Sequence, residues 1–307
     1  MKIVITMCKL FFAMSAGIYL NKKGILTKDV NKKISSMILD VTMPLLILCS
    51  SASVSGDDQQ TILFLLIAGI VLYLLLPGIS YIIVKILRCP KHLEGVYRCM
   101  IIFSNTAFMG YPVVEALYGS KAILYATVLH FGFNVLFFSY GMFLMARDAG
   151  DVTKFEAKQL VNVGVISGVI ALVLCFTGIQ LPEIIYQPFE FIGNTTMPLS
   201  MVVIGANMGD YSLREIFEEK KLYYVTFIRL VVMPVLAAVC IRLFTNDLTV
   251  IGVTTITIGM PIAASVAMGS GRYEVQGKMG SMAVAFSTIC SMITLPILAL
   301  AIDFVFG

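Results

Sequence analysis

Two apolar stretches of this chain are each interrupted by a short run of Gly, Pro and polar residues. The first break reads S-N-T-A-F-M-G-Y-P over residues 104–112, and the second reads T-I-G-M-P-I-A-A-S over residues 257–265. Inside a bilayer every backbone N–H and C=O needs a partner, so a broken spanning helix survives only where the break is buried in protein or lines a polar cavity. Paired breaks in corresponding halves of a chain are the strongest sequence pointer to the binding site of a secondary transporter.

The residues at the breaks favour an anionic ligand. We expect each second half-helix to begin at its proline, near Tyr111-Pro112 in the first break and at Pro261 in the second. Two converging helix N-termini would present free N–H groups and partial positive charge, which suit a carboxylate. Asn105 and Thr106 are placed to hydrogen-bond such a ligand directly, and Asn134 supplies another amide on the following segment.

The full set of candidate substrate contacts combines the two breaks with nearby amide and hydroxyl groups. It comprises Asn105, Thr106, Gly110, Tyr111, Pro112, Asn134, Met260, Pro261, Ser265, Ser287 and Ser291. The polar members have structural alternatives. The two Asn side chains would instead satisfy backbone carbonyls freed at the break, and the hydroxyls would bond to their own helix or to a neighbouring one.

Ionisable side chains inside apolar segments are functional candidates, because a charge at the centre of a membrane helix is costly. His130, one turn before Asn134, is a candidate for proton or ion coupling, as is Glu115, a turn beyond Pro112. The alternative for His130 is a hydrogen-bonded structural histidine. We expect Arg229 to extend its long side chain toward the cytoplasm. No Asp or Glu is close to either break in the sequence, which favours a uniporter or an anion exchanger.

The composition predicts an all-α membrane protein. Of the 307 residues, 59% are hydrophobic and 13% are charged, and the mean hydropathy is +0.93, which leaves too little polar surface for a soluble globule. Stretches of about 20 apolar residues predict ten transmembrane segments. These segments cover residues 3–20, 34–55, 61–87, 97–118, 122–146, 158–178, 190–209, 221–244, 249–269 and 279–306. The first lacks a cleavage site and is expected to be retained.

Positive charge is distributed unevenly over the loops between these segments. Seventeen Lys and Arg residues fall on one side of the predicted topology, and only Lys2, Lys121 and Arg242 fall on the other. The positive-inside rule therefore places both termini outside the cytoplasm of a multi-pass cell-membrane protein. The net charge of +4 follows from this bias and does not indicate a nucleic-acid partner.

An internal repeat organises the chain. The string T-M-P-L occurs at residues 42–45 and again at residues 196–199, and the prolines of the two breaks have a similar offset. Because five segments per repeat is an odd number, the two halves must enter the membrane from opposite sides. We expect inverted five-helix repeats at residues 1–147 and 158–307, with a cytoplasmic joint at residues 148–157.

Enzymatic and metal-dependent functions are not indicated. The seven Cys residues form no C-x-x-C pair, the two His residues have no companion ligand at a helical spacing, and H-E-x-x-H, G-x-S-x-G and P-loop motifs do not occur in the sequence. We therefore predict neither a metal nor a cofactor. A channel or a non-transporting membrane sensor is the alternative to a carrier.

Several motifs resemble the bacterial branch of the auxin efflux carrier family. They are N-T-A-F-M-G-Y-P-V-V-E-A-L-Y-G at residues 105–119, H-F-G-F-N at residues 130–134 with Y-G at 140–141, and the closing stretch from M-P-I-A-A-S-V-A-M to S-M-I-T-L-P within residues 260–296. The resemblance spans the whole chain and is most specific in the fourth, fifth, ninth and tenth segments.

The resemblance implies a fold related to sodium/proton antiporters and bile acid symporters. It implies transport of a small organic anion, such as a mono- or dicarboxylate, by elevator-type alternating access. Segments 1, 2, 6 and 7 would form a scaffold that makes a homodimer, while segments 3–5 and 8–10 would form a moving domain in which segments 4 and 9 cross. The acid carried, the direction of transport and its coupling stay open.

Overall fold

The computed structural model describes residues 2–53, 58–150, 163–209, 219–271 and 274–306. Within these ranges the regular elements are all helical, and the extended backbone is limited to one isolated antiparallel bridge between Ser104 and Ile262. The all-α prediction is therefore confirmed. The predicted joint at residues 148–157 lies largely outside the described residues.

The helices of the first half follow the predicted segments, and the fourth segment is split. They are α1 (Lys2–Lys22), α2 (Lys28–Ser50), α3 (Gln59–Ile86), α4 (Glu94–Ile102), α5 (Tyr111–Tyr118, preceded by a π-helical turn at Thr106–Gly110) and α6 (Lys121–Asp148). A short turn at residues 51–53 extends α2, and another at Lys91–Leu93 precedes α4.

The helices of the second half also follow the predicted segments, and the seventh and ninth segments are split. Its helices are α7 (Val163–Thr177), α8 (Glu183–Gly193), α9 (Thr196–Gly209), α10 (Lys220–Arg242), α11 (Leu248–Ile258), α12 (Ala264–Ser270) and α13 (Glu274–Phe306). The break between α11 and α12 corresponds to the break between α4 and α5.

Length and hydropathy agree with a multi-pass membrane protein. Among the described residues five helices are long and apolar enough to cross a membrane, namely those at Lys28–Ser50, Gln59–Ile86, Lys121–Asp148, Lys220–Arg242 and Val275–Phe306. Large apolar side chains cover the outside, and Leu74 and Phe304 are 74% and 91% exposed. Such a surface suits lipid contact. The count of ten segments remains a prediction.

Proline placement explains most of the π-helical turns. The turns at Ile38–Thr42, Thr106–Gly110 and Ile228–Val232 each end two residues before a proline. Proline has no N–H, and its ring clashes with the carbonyl four residues earlier. The helix widens by one residue there, so that the residue before each proline donates its N–H to the carbonyl five positions back. Such π-bulges are frequent at functional sites.

The two T-M-P-L strings of the predicted repeat meet in space. The hydroxyl of Thr196 donates a hydrogen bond to that of Thr42 over 2.9 Å, and both side chains are buried. Residues at equivalent positions of a two-fold repeat come together in this way where they lie on its axis. The contact agrees with the predicted repeat, although the opposed orientation of the halves remains a prediction.

Glycines allow α1 and α9 to pack backbone to backbone. A Cβ atom at Gly205 would lie 1.9 Å from the carbonyl oxygen of Met14, and one at Gly17 would lie 2.1 Å from that of Val202. The G-x-x-x-G spacing at Gly205 and Gly209 is thus used for packing within the chain.

Candidate functional site

The two helix breaks cross each other and are joined through their backbones. The N–H of Asn105 donates to the carbonyl of Pro261 over 2.8 Å, and the N–H of Ala263 donates to the carbonyl of Phe103 over 3.0 Å. These bonds flank the bridge between Ser104 and Ile262. Each break therefore satisfies part of the other's exposed backbone, as a membrane environment requires.

Side-chain hydroxyl groups make further hydrogen bonds at the crossing. The hydroxyl of Ser287 on α13 accepts the N–H of Ile262 over 3.0 Å, and Ser104 and Thr106 share a hydrogen bond of 3.0 Å. Ser291 lies one turn further along α13 and donates to the carbonyl of Thr288 in its own helix.

A buried arginine binds a freed carbonyl from each break. The Nε–H of Arg229 donates to the carbonyl of Met260 over 3.3 Å, and Nη1 donates to that of Ile101 over 3.0 Å. The side chain is only 1% exposed. The prediction that Arg229 extends toward the cytoplasm is therefore wrong, because the carbonyls at the breaks satisfy its donors inside the protein.

One of the two predicted half-helix starts agrees with the structure. The α-helix after the first break begins at Tyr111 with Pro112 in its first turn, and a π-helical turn at Thr106–Gly110 that was not predicted precedes it, with Asn105 just before that turn. The second half-helix begins at Ala264, three residues after Pro261. The prediction for the second break is therefore wrong, because the crossing contacts set where that helix resumes.

A central cavity of about 280 Å³ lies beside the crossing. Six of the predicted site residues line it, namely Asn105, Thr106, Tyr111, Asn134, Ser265 and His130. The structure thus brings together residues from the first break, from α6 and from the start of α12. Most of the remaining lining is apolar and aromatic, including Phe108, Phe131, Phe133 and Phe137.

The other predicted site residues do not line the central cavity. Gly110, Pro112, Met260, Pro261, Ser287, Ser291 and Glu115 line neither this cavity nor the larger one described below. Met260, Pro261 and Ser287 make the backbone contacts of the crossing. Their direct contact with a substrate remains a prediction.

Polar groups in the central cavity are available to a ligand. Among the described residues the side-chain amides of Asn105 and Asn134 have no hydrogen-bond partner, and the buried hydroxyl of Ser265 has none either. The alternative that both Asn side chains satisfy freed backbone carbonyls is therefore not realised. Arg229 binds two freed carbonyls instead, and Ser287 accepts the freed N–H of Ile262.

His130 is a buried wall residue of the central cavity. Its Nδ1 lies 2.9 Å from the hydroxyl oxygen of Tyr73, and its ring packs against Phe133 with 4.3 Å between the ring centroids. It also borders a narrow space of about 10 Å³ together with Ser104 and Arg229. The structural alternative for His130 is thus realised, while a coupling role is untested.

Asp40 was missed as a site residue by sequence reasoning. It belongs to the π-helical turn of α2 and lines the central cavity with Asn105 and Asn134. The inference that no carboxylate lies close to the breaks is therefore wrong in space, although it holds along the chain. A charged residue within an apolar segment was the available signal.

A larger cavity, which we call the vestibule, adjoins the central cavity. Its volume is about 530 Å³, and it shares Leu39, Asn105, Phe108, Ala264 and Met268 with the central cavity. Lys28 and Lys32 of α2 line the vestibule. Asn207 of α9 and Thr288 of α13 line it as well. No acidic residue is among the described lining of the vestibule. An anion would meet a favourable charge on this path to Asn105.

Comparison with known proteins identifies the class of molecule. The family model described as "Membrane transport protein" matches residues 2–299, nearly the whole chain. The chain belongs to the auxin efflux carrier family. The resemblance in its sequence motifs is thereby confirmed, and this member of the family is a membrane transport protein and not an enzyme.

Two archaeal relatives agree with this assignment. An uncharacterized transporter of Methanothermobacter thermautotrophicus is 20% identical over 281 residues, which cover 92% of each chain. An uncharacterized transporter of Methanocaldococcus jannaschii is 23% identical over 197 residues. That alignment covers 62% of this chain and 64% of the relative, less than two thirds of its length.

Proposed function

We propose that this protein is a secondary carrier of small organic anions, such as mono- or dicarboxylates, across the cell membrane. The observation that carries the proposal is the unpaired amide of Asn105, which lies at the crossing of two broken helices and faces both cavities. An amide that makes no bond within the described protein is available to a substrate. Broken helices at such a crossing are where secondary transporters bind their substrates.

The start of the half-helix beside Asn105 supports an anionic substrate. Asn105 precedes the turn at Thr106–Gly110, and its side chain does not cap that turn. The first N–H groups of a helix lack acceptors within the helix and carry partial positive charge. Ala107 and Phe108 of this first turn line the central cavity, so a carboxylate there would meet both the amide and the helix end.

The placement of the cavities supports elevator-type alternating access. One wall consists of residues from predicted scaffold segments, such as Asp40 and Asn207, and the facing wall consists of predicted transport-domain residues, such as Asn105 and Asn134. A substrate bound between them would move when one set of helices slides along the other. On this proposal segments 1, 2, 6 and 7 stay fixed and make a homodimer within the bilayer.

The charge of the vestibule supports an inward-open orientation. Lys28 and Lys32 belong to the loop side with the excess of Lys and Arg, which the positive-inside rule places in the cytoplasm. The vestibule then opens to the cytoplasm and both termini lie outside. A channel or a non-transporting sensor on the same fold is the alternative, but a cavity with an unpaired amide at its inner end favours a carrier.

A binding screen with a matched variant tests the proposal. Malonate, malate and indole-3-acetate, each beside its neutral amide, should raise the unfolding temperature of the purified protein where they bind. Asn105→Ala should weaken the best carboxylate by about 1–3 kcal/mol, since it removes a hydrogen bond to a charged group. Asn194→Ala deletes the same amide at an exposed site outside both cavities and should leave affinity unchanged. Equal affinities of the native and Asn105→Ala proteins would refute the assigned site.

A further inference from the structure

Arg229 is a fully buried cation that has no acidic partner among the residues that the structure describes. It lies in the π-helical turn Ile228–Val232 of α10 and is 1% exposed. The ion pairs among the described residues involve Arg98, Lys121 and Arg147, and no carboxylate there pairs with Arg229. A guanidinium keeps its charge under all ordinary conditions, so this position carries a permanent and costly positive charge.

The hydrogen bonds of Arg229 connect the two broken helices. Its acceptors are the carbonyl of Ile101 in the last turn of α4 and the carbonyl of Met260 just after α11. Helix C-termini carry partial negative charge, which a cation nearby stabilises. Only the planar fork of an arginine reaches two carbonyls from two helices while its charge faces both helix ends.

The narrow space beside Arg229 and the central cavity share part of their lining. Ser104 and His130 border the narrow space beside Arg229, and the same two residues line the central cavity. Coulomb interactions with a buried charge are stronger inside a protein than in bulk water. Asp40 is the only charged residue among the described lining of the central cavity. Without Arg229, the Asp40 carboxylate would make the electrostatic potential of the central cavity negative and would repel an anion.

We propose, building on the function proposed above, that Arg229 makes the central cavity selective for anions over neutral analogues. It is a positioning residue and does not touch the substrate. It holds the breaks together through Ile101 and Met260, and its positive charge offsets Asp40 at the place where a carboxylate binds.

Three variants separate the charge of Arg229 from its hydrogen-bonding geometry. Arg229→Gln removes the charge, and Arg229→Lys keeps the charge but loses the fork. Arg98→Gln is the control, because Arg98 is 7% exposed, pairs with Glu94 and lines neither cavity. Binding of malonate and malonamide, with indole-3-acetate and indole-3-acetamide as the second pair, is measured by calorimetry on the purified proteins.

The proposal predicts a loss that is specific to charge. Arg229→Gln should weaken carboxylate binding by about tenfold or more and change amide binding by less than about twofold, as expected when a buried charge that acts on the bound anion is removed. Arg229→Lys should unfold at a lower temperature but keep carboxylate affinity within about threefold. Arg98→Gln should leave the ratio of carboxylate to amide affinity unchanged.

The results that would refute the role of Arg229 differ from those that would refute the proposed carrier function. If the native protein binds a carboxylate and Arg229→Gln binds it equally well, the selectivity role is refuted while the carrier function stands. If Arg229→Gln does not fold, a tenfold or greater loss of carboxylate affinity in folded Arg229→Lys refutes the charge argument. If no carboxylate binds to the native protein, both proposals fail together.

Discussion

The acidic residue of the central cavity comes from a distant part of the chain. Asp40 lies 65 residues before Asn105, yet both side chains line the same cavity. A carboxylate at an anion site weakens binding, so that the substrate can leave, and it can attract a cation that travels with the substrate. In both cases the negative charge of Asp40 by itself opposes anion binding.

Removal of this charge should therefore strengthen anion binding. We expect Asp40→Asn to tighten the binding of a carboxylate by about 1 kcal/mol at neutral pH, because the exposed Asp40 carboxylate and an anion in the same cavity repel each other even where water screens them. The matched control is Asp29→Asn, also on α2 but outside both cavities. Calorimetry at low and high salt measures the effect.

Equal affinity of Asp40→Asn and the native protein would show that the Asp40 carboxylate does not act on the bound anion. A gain in Asp29→Asn of the same size would instead indicate a general change in surface charge.

At the scale of elements, each break is held open by groups from other helices. The N–H of Ile262 donates to Ser287 of α13, the carbonyl of Pro261 accepts from Asn105, and the carbonyl of Met260 accepts from Arg229. A regular helix through the second break would forfeit all three bonds. The break is thus a tertiary feature, and the proline only makes it easier to form.

Two serines on α13 provide a test of this support. Ser287→Ala removes the acceptor for the buried N–H of Ile262 and should destabilise the protein by about 1–3 kcal/mol, the cost of an unsatisfied buried donor. Ser291→Ala removes a buried hydroxyl that donates to Thr288 in its own helix and makes a long contact of 4.0 Å with the sulfur of Met109, so it should cost less than about 1 kcal/mol. Thermal unfolding in detergent compares the two.

Similar destabilisation by both variants would mean that the bond from Ile262 to Ser287 does not support the break. Carboxylate binding should be nearly unaffected by Ser291→Ala, and a large loss there would restore Ser291 as a substrate contact.

The sequence predicted the helices better than it predicted their junctions. Apolar stretches located the segments, and the Gly and Pro residues located both breaks, since these signals are local. The start of the second half-helix was wrong and the π-helical turn before Tyr111 was missed, because Ala263 and Asn105 take their conformation from bonds across the crossing. The contacts of Arg229 and the position of Asp40 in the cavity were missed because both depend on residues of other helices.

At the scale of the whole molecule, the two cavities form one path from the vestibule to the crossing. Lys28 and Lys32 line the vestibule, and the amides of Asn105 and Asn134, which have no partner among the described residues, line the central cavity. Such an arrangement attracts anions electrostatically and then binds them by hydrogen bonds. Lys28 and Lys32 of the vestibule belong to one side of the predicted topology, so the orientation of the chain decides from which compartment an anion would reach them.

Cysteine labelling should report this orientation. Single cysteines at Ser120 and Asn246 should react with an impermeant thiol reagent added to intact cells, while cysteines at Lys28 and Lys91 should react only after permeabilisation. All four positions are exposed. The background replaces Cys8 and Cys240, the exposed cysteines among the described residues. The reverse labelling pattern would place the vestibule on the outer side.

The central claim is that this chain is an organic-anion carrier with its site at the crossing. Counterflow in proteoliposomes tests this claim most directly. Vesicles loaded with an unlabelled carboxylate that binds the native protein should take up the labelled compound faster than empty vesicles, and uptake should saturate. Asn105→Ala should lower counterflow at limiting substrate by about tenfold, in keeping with the loss of one hydrogen bond to a charged group, while Asn194→Ala matches the native protein. Uptake that does not saturate and is indifferent to internal substrate, or full counterflow by Asn105→Ala, would contradict the account.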